Sequence, residues 1–112
     1  MKQPDDAALL CDMRDFAGKA IAAARSRQRP DLDSDDVFAA ATERFIEVIG
    51  EAASRVSETT REKLSAVPWY EIVGMRNRLI HGYASVDHDV VWAVITLDLP
   101  ALVAALDAAT EG

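Results

Sequence analysis

One cysteine, two histidines, five glycines and four prolines are spread over 112 residues. The lone Cys11 excludes an internal disulfide and any multi-thiolate metal site within one chain. It reads instead as a small buried apolar residue on a helix. There is no glycine-rich phosphate loop, no serine-nucleophile motif and no acidic metal triad. No run of 18 or more uncharged apolar residues occurs, and the start Met1-Lys2-Gln3-Pro4-Asp5-Asp6 puts two acids where a signal peptide needs its apolar core. A cytoplasmic protein with no membrane attachment and no cofactor is the expectation. Linkers, repeats and low-complexity tracts are also lacking, so residues 1–112 are expected to be one domain, with a core over about 5–107 and a short loose tail at 110–112.

A basic surplus is missing as well. Twelve Lys and Arg against nineteen Asp and Glu give a net charge of −7, which argues against a general nucleic-acid binder working through a broad basic surface. Residues 1–30 are net +2, residues 31–80 net −4, and residues 81–112 net −5 with no basic residue at all. Positive charge is therefore local, in Arg25, Arg27 and Arg29 and again in Arg76 and Arg78. A polyanion can be gripped only where such clusters meet.

What the chain does have is helical periodicity, with half of its side chains hydrophobic. From Asp5 to about Ser26, Leu9, Met13, Phe16, Ala17, Ala20, Ile21 and Ala24 recur at spacings of three and four, and two acids sit at the positive end of the dipole. Pro30 stops that helix. Asp33, Ser34 and Asp35 are N-cap candidates for a second long helix, with the stripe Val37, Phe38, Ala41, Phe45, Val48, Ile49, Ala52 and Val56, ending near Ser57. Thr59 and Glu62 match a capping box, which predicts a short helix over about 60–66. Pro68 opens a helix carrying Trp69, Ile72, Val73, Arg76, Leu79 and Ile80, which Gly82 ends. Asp87 caps a last helical region, with Val90, Val91, Val94, Ile95 and Leu97, then Leu102, Val103 and Leu106, and Pro100 kinks or splits it. No strand pair or hairpin signal occurs. The fold expected is all-α, a single-domain antiparallel bundle of four to five helices. The apolar segment around Val90 to Ile95 is expected to leave a patch that a monomer cannot cover.

Candidate chemistry gathers in Gly74-Met75-Arg76-Asn77-Arg78-Leu79-Ile80-His81-Gly82-Tyr83. Arg76 and His81 lie about 140° apart on an ideal helix, whereas Asn77 and His81 share a face. A helix that stops at Gly82 leaves His81 in its frayed last turn, where the ring can swing toward Arg76 while Asn77 hydrogen-bonds it. Such a set suits RNA cleavage without a metal. Imidazole can take the proton from a ribose 2′-hydroxyl or give one to the departing 5′-oxygen, and a guanidinium offers a planar fork to the phosphate oxygens. One histidine does not easily fill both proton roles, and a two-fold dimer would supply two. On spacing alone, the same residues serve equally as ion-pair and helix-dipole partners, with Tyr83 a half-buried aromatic.

The run Pro68-Trp69-Tyr70-Glu71-Ile72-Val73-Gly74-Met75-Arg76-Asn77-Arg78-Leu79-Ile80-His81-Gly82-Tyr83, followed by Val86-Asp87 and Val91-Trp92, resembles the HEPN-domain toxins of the HepT family. So do Phe45-Ile46-Glu47-Val48-Ile49-Gly50-Glu51-Ala52-Ala53 and Asp98-Leu99-Pro100, over about residues 5–107 in all. The family's Arg-x4-His-x-Tyr element stands here as Arg76, His81 and Tyr83. The resemblance implies a HEPN-like all-α homodimer with paired motifs lining a cleft at the interface, acting as a metal-independent endoribonuclease toxin. Arg76, His81 and Asn77 would be the catalytic set, and Arg78 would bind substrate. It also implies a partner, an MntA-type minimal nucleotidyltransferase antitoxin that transfers AMP from ATP to the motif tyrosine, here Tyr83, so that bulk and negative charge block the cleft. The alternative is a subunit that docks on a nucleotidyltransferase and cleaves nothing, which the acidic balance favours.

Other groups have plainer readings. His81 and His88 with Asp87 and Asp89 read as a solvated helix start rather than a metal site. Trp69, Trp92 and Phe45 are at core spacing. Arg25, Arg27 and Arg29 read as a solvated helix end, and Glu47 and Glu51 as a wet face.

Overall fold

The structure, a computed structural model, describes residues 5–79 and 85–111. Helix α1, Asp6–Ala24, begins where Asp5, in extended backbone, accepts a hydrogen bond from the Ala8 N–H at 2.8 Å. Its buried side is Leu9, Met13, Ala17, Ala20 and Ala24, three or four residues apart. A single turn, α2 (Asp31–Ser34), follows Pro30 and buries Leu32. Helix α3, Asp36–Arg55, is capped by Asp35, whose carboxylate accepts from the N–H groups of Val37 and Phe38. Then come α4 (Glu58–Lys63), α5 (Trp69–Leu79), α6 (His88–Ala93) and α7 (Leu99–Glu111). All the helices and turns so far named belong to one bundle, as the periodicity predicts: α3 packs between α1 and α5, α7 lies on α1, and α6 touches α2, α3 and α5.

Four long rods with two short helices between them make the all-α architecture. The last rod is continuous from α6 through a π-helical turn, Val94–Asp98, into α7. Pro100 explains the turn. Its nitrogen has no hydrogen to offer the Thr96 carbonyl and its ring would crowd that oxygen, so the preceding turn widens instead of breaking. By length and composition, the run His88–Ala109 is apolar enough to cross a membrane. Its Val91, Val94, Ile95, Leu99, Leu102 and Leu106 are buried in the bundle, which accounts for that hydropathy.

Several expectations need correction. The start of α4 is capped by Ser57, whose hydroxyl accepts from the Thr60 N–H, and not by Thr59. Asp6 causes this: its carboxylate takes hydrogen bonds from the Ser57 N–H and from the hydroxyls of Ser57 and Thr60, which pins the chain two residues early. Cys11 is exposed, not buried, because it sits one turn from Asp15 on the outer side of α1. That carboxylate pushes the thiol pKa up, so the exposed sulfur is a poor nucleophile. Val91, Val94 and Ile95 are core residues, and the exposed large apolar side chains are Val37, Tyr70 and Leu97.

Nor are Arg27 and Arg29 a loose helix end. Arg27 pairs with Asp35 and lies over the Phe38 ring, 4.4 Å from its centroid. Arg29 reaches Asp33 at 2.8 Å and Asp89 at 2.6 Å, tying the α1–α2 connection to α6. Of the three, Arg25 alone is exposed without such a tie.

Ile46, wholly buried, sits where α3 meets the rest of the core. Truncating it leaves a cavity, so Ile46→Ala should lower unfolding free energy by about 2–5 kcal/mol in urea titration. A second expectation concerns acid. Hydrogen bonds from Ser57 and Thr60 hold the Asp6 carboxyl below its ordinary 3.8, so its stabilisation is complete above that pH and fades as pH falls through the lower folded value. The stability gap between wild type and Asp6→Ala should therefore be full at pH 7 and close progressively below about pH 3.8; a gap that widened in acid would refute the assignment.

Candidate functional site

Helix α5 buries Ile72, Met75 and Leu79. That choice turns Val73, Arg76 and Asn77 toward α3, where Arg44, Glu47, Glu51 and Ser54 follow one another at spacings of three, four and three. Together with Gly50 they line an open groove of about 500 Å³. Gly50 marks the place where the two helices touch: a Cβ there would be in ordinary van der Waals contact with the carbonyl oxygens of Ile72 at 3.4 Å and Val73 at 3.6 Å.

Arg76 is exposed on the wall of this groove and has no ion-pair or hydrogen-bond partner among the described residues. Most other arginines are committed. Arg14 pairs with Asp107, Arg27 with Asp35, Arg29 with Asp33 and Asp89, and Arg78 with Asp98 on the π-helical turn. Arg61 donates to the carbonyls of Ala53 and Val56 at 2.8 and 3.1 Å, closing the end of α3. Arg44, across the groove from Arg76, has only a long 3.5 Å contact with Glu47 and is 69% exposed. The groove thus presents two weakly engaged guanidiniums and two carboxylates, Glu47 and Glu51. A guanidinium without a carboxylate partner keeps its fork of donors for an incoming phosphate.

Arg76 and Arg78, two residues apart and so about 200° apart around the helix, do not face one another. Asn77 lies between them and borders both the α3 groove and a second one of about 510 Å³ that holds Arg78, Arg61 and Tyr70. The structure therefore brings Arg76 and Asn77 together and sends Arg78 elsewhere. His81 and Tyr83 fall outside the described residues. The described residues on either side of them are joined, the Leu79 carbonyl accepting from the Asp87 N–H at 2.6 Å. Asp87 then caps α6. The start of α6 is fixed again by His88, whose Nδ1 lies 2.8 Å from Asp33. Among the described residues, no group of three or more His, Cys, Asp or Glu is placed to hold a metal ion.

Arg44 and Gly50 do not stand out in the motif, and their signal is the polar stripe of α3, with a glycine inside it where α5 must approach. An all-α domain with an unpaired arginine on a helix-helix groove is the class these features define. The family described as "Ribonuclease HepT-like" matches residues 13–109, and the chain belongs to it. A protein of Methanocaldococcus jannaschii named "Putative RNase MJ1380" is 33% identical over 100 residues, covering 89% of this chain and 92% of that one. "Putative RNase TTE0752" of Caldanaerobacter subterraneus is 43% identical over 72 residues, 64% of each chain. The "Probable ribonuclease HepT" of Thermococcus cleftensis is 37% identical over 59 residues, 53% of this chain and 54% of that one. No solved structure matches.

The Gly50 contact makes a graded prediction. Gly50→Ala should fold near wild-type stability, whereas Gly50→Val, with two further methyls against the α5 backbone, should cost about 1–3 kcal/mol in urea unfolding. Equal tolerance of both would show that the helices are not in contact there.

Proposed function

We propose that this chain is a metal-independent endoribonuclease toxin that acts as a homodimer, with paired Arg76, Asn77 and His81 facing an RNA cleft. The observation that carries the reading is the unpaired Arg76 guanidinium beside Asn77 on the α3 groove, in a chain of the HepT-like ribonuclease family. His81, two residues past the end of α5, takes the proton as the ribose 2′-oxygen attacks phosphorus. The P–O5′ bond breaks, a proton returns to the 5′-oxygen, and the 3′ side is left as a 2′,3′-cyclic phosphate. Arg76 holds the phosphate oxygens as charge builds on them, and Asn77 orients His81 or the substrate. Arg78 has a lesser part than the motif alone implies, because Asp98 already occupies it. The protein works in the cytoplasm beside a nucleotidyltransferase antitoxin. In neutralisation, the Tyr83 hydroxyl attacks the α-phosphorus of ATP, a tyrosyl–AMP bond forms and pyrophosphate leaves; the added phosphate then repels the RNA backbone.

Expression of the wild-type chain alone should arrest growth, and the purified protein should cut single-stranded RNA in the presence of a chelator, leaving cyclic-phosphate ends. Arg76→Ala and His81→Ala should each lose about 10²–10⁴-fold in cleavage rate. Light scattering should give twice 12.2 kDa. Incubation with the cognate transferase and ATP should place AMP on Tyr83 by mass spectrometry. The acidic balance of the chain, −7, favours one other reading, a nucleotidyltransferase-docking subunit without catalysis. Equal growth of cells expressing wild type and His81→Ala would select it.

A further inference from the structure

Tyr70 is the most exposed large hydrophobic side chain described, at 89%. Every other aromatic ring on the described residues is at least half withdrawn into the bundle or against its surface. Tyr70 and Asn77 are seven residues apart, so they share a face of α5 two turns, about 10 Å, from one another. Between them lies Gly74, where an added Cβ would meet nothing within 4 Å. Ring, bare glycine backbone and amide form a shelf along the second groove, which Asn77 and Val73 join to the first.

The cations of this second groove are not free. Arg61 is held by the Ala53 and Val56 carbonyls and stands 5.7 Å from the Trp69 ring centroid, and Arg78 is held by Asp98. This side of α5 thus has no free cation for a phosphate, carries the exposed carboxylate of Glu71, and offers flat surface, while the unpaired guanidinium of Arg76 stands on the other side. A phosphate belongs on one side and a base on the other.

We propose that Tyr70 is a nucleobase-stacking subsite: an unpaired base of single-stranded RNA lies on its ring over Gly74, while the neighbouring backbone phosphate sits by Arg76. The inference rests on the ribonuclease reading above and adds to it a substrate class, single-stranded rather than duplex RNA, since a paired base cannot turn onto the ring. Stacking of this kind tolerates any base, so Tyr70 contributes affinity without a sequence preference.

The test uses the full chain and a fluorescently labelled single-stranded 2′-O-methyl RNA, which binds but cannot be cut. Tyr70→Ala should raise its Kd about tenfold, while Tyr70→Phe, which keeps the ring, should stay within about twofold of wild type. With cleavable RNA the alanine variant should raise KM by a similar factor at constant kcat. A ribose-phosphate chain lacking bases should bind wild type and Tyr70→Ala alike. The proposal falls if Tyr70→Ala binds RNA as wild type does, if alanine and phenylalanine weaken binding equally, or if Tyr70→Ala turns a dimer into a monomer, which would make the ring a protein contact. If wild type cuts RNA and Tyr70→Ala behaves identically, stacking alone fails. If wild type binds RNA through Tyr70 but never cuts it, the ribonuclease reading alone fails, and if it does neither, both fall.

Discussion

Contact between α3 and α5 at Gly50 governs the rest of the molecule's working surface. A glycine at the crossing, with room for little more than a methyl before the carbonyls of Ile72 and Val73, sets α5 close against α3, and the buried edge of α5 is Ile72, Met75 and Leu79. The 3.6-residue repeat then leaves no freedom: Arg76 must look toward Arg44 and Glu47, Arg78 must look away, and Asn77 must stand on the crest between them. Two arginines that are near neighbours in sequence acquire different chemical lives from one packing contact.

Charge pairing completes that division. In a chain of net charge −7, a guanidinium left unpaired is the exception, and tertiary pairs tie up the cations that hold elements together. Arg14 joins α1 to α7, Arg29 joins the α1–α2 connection to α6, and Arg78 joins α5 to the π-helical turn. Each such pair is partly exposed and adds little stability by itself, but it removes a positive site from the surface. Of the arginines left for a polyanion, Arg25 and Arg55 stand apart on other surfaces, while Arg76 and the weakly held Arg44 face each other across one groove. With Glu47 and Glu51 in the same groove its formal charge is zero, so what it offers a polyanion is the unsatisfied donor fork of Arg76 rather than net positive charge.

The helices were legible in the sequence wherever a long apolar stripe met a capping acid. Asp5, Asp35 and Asp87 are all caps, and α1 and α3 end within a few residues of the expected positions. The short helix α4 was expected but placed two residues late, and the single turn α2 and the π-helical turn were not foreseen, because the causes of such details are tertiary. Ser57 replaces Thr59 as the cap through the reach of Asp6, fifty-one residues earlier, and the π-helical turn is a response to Pro100 inside a rod that core packing keeps straight through. The motif named Arg76 and Asn77 as members of one cluster, and both border the α3 groove. It could not say that Arg78 would be taken by Asp98, since that pairing depends on how the last rod lies against α5.

The same distinction bears on the segment between α5 and α6. Its ends are joined by the hydrogen bond from the Asp87 N–H to the Leu79 carbonyl, and each end is held by a different set of contacts. On one side Leu79 is buried with Met75 in the α5 core edge; on the other, Asp87 caps α6, while Asp33 and Arg29 grip His88 and Asp89. That bond fixes the separation of the two anchors, Leu79 and Asp87. The two anchors are therefore held by the bundle as a whole, including the α1–α2 connection far from them in sequence. This is a physical reason for Arg76 to sit within an entire helical domain: α3 fixes the near anchor beside it, and the ion pairs of α2 and α6 fix the far one.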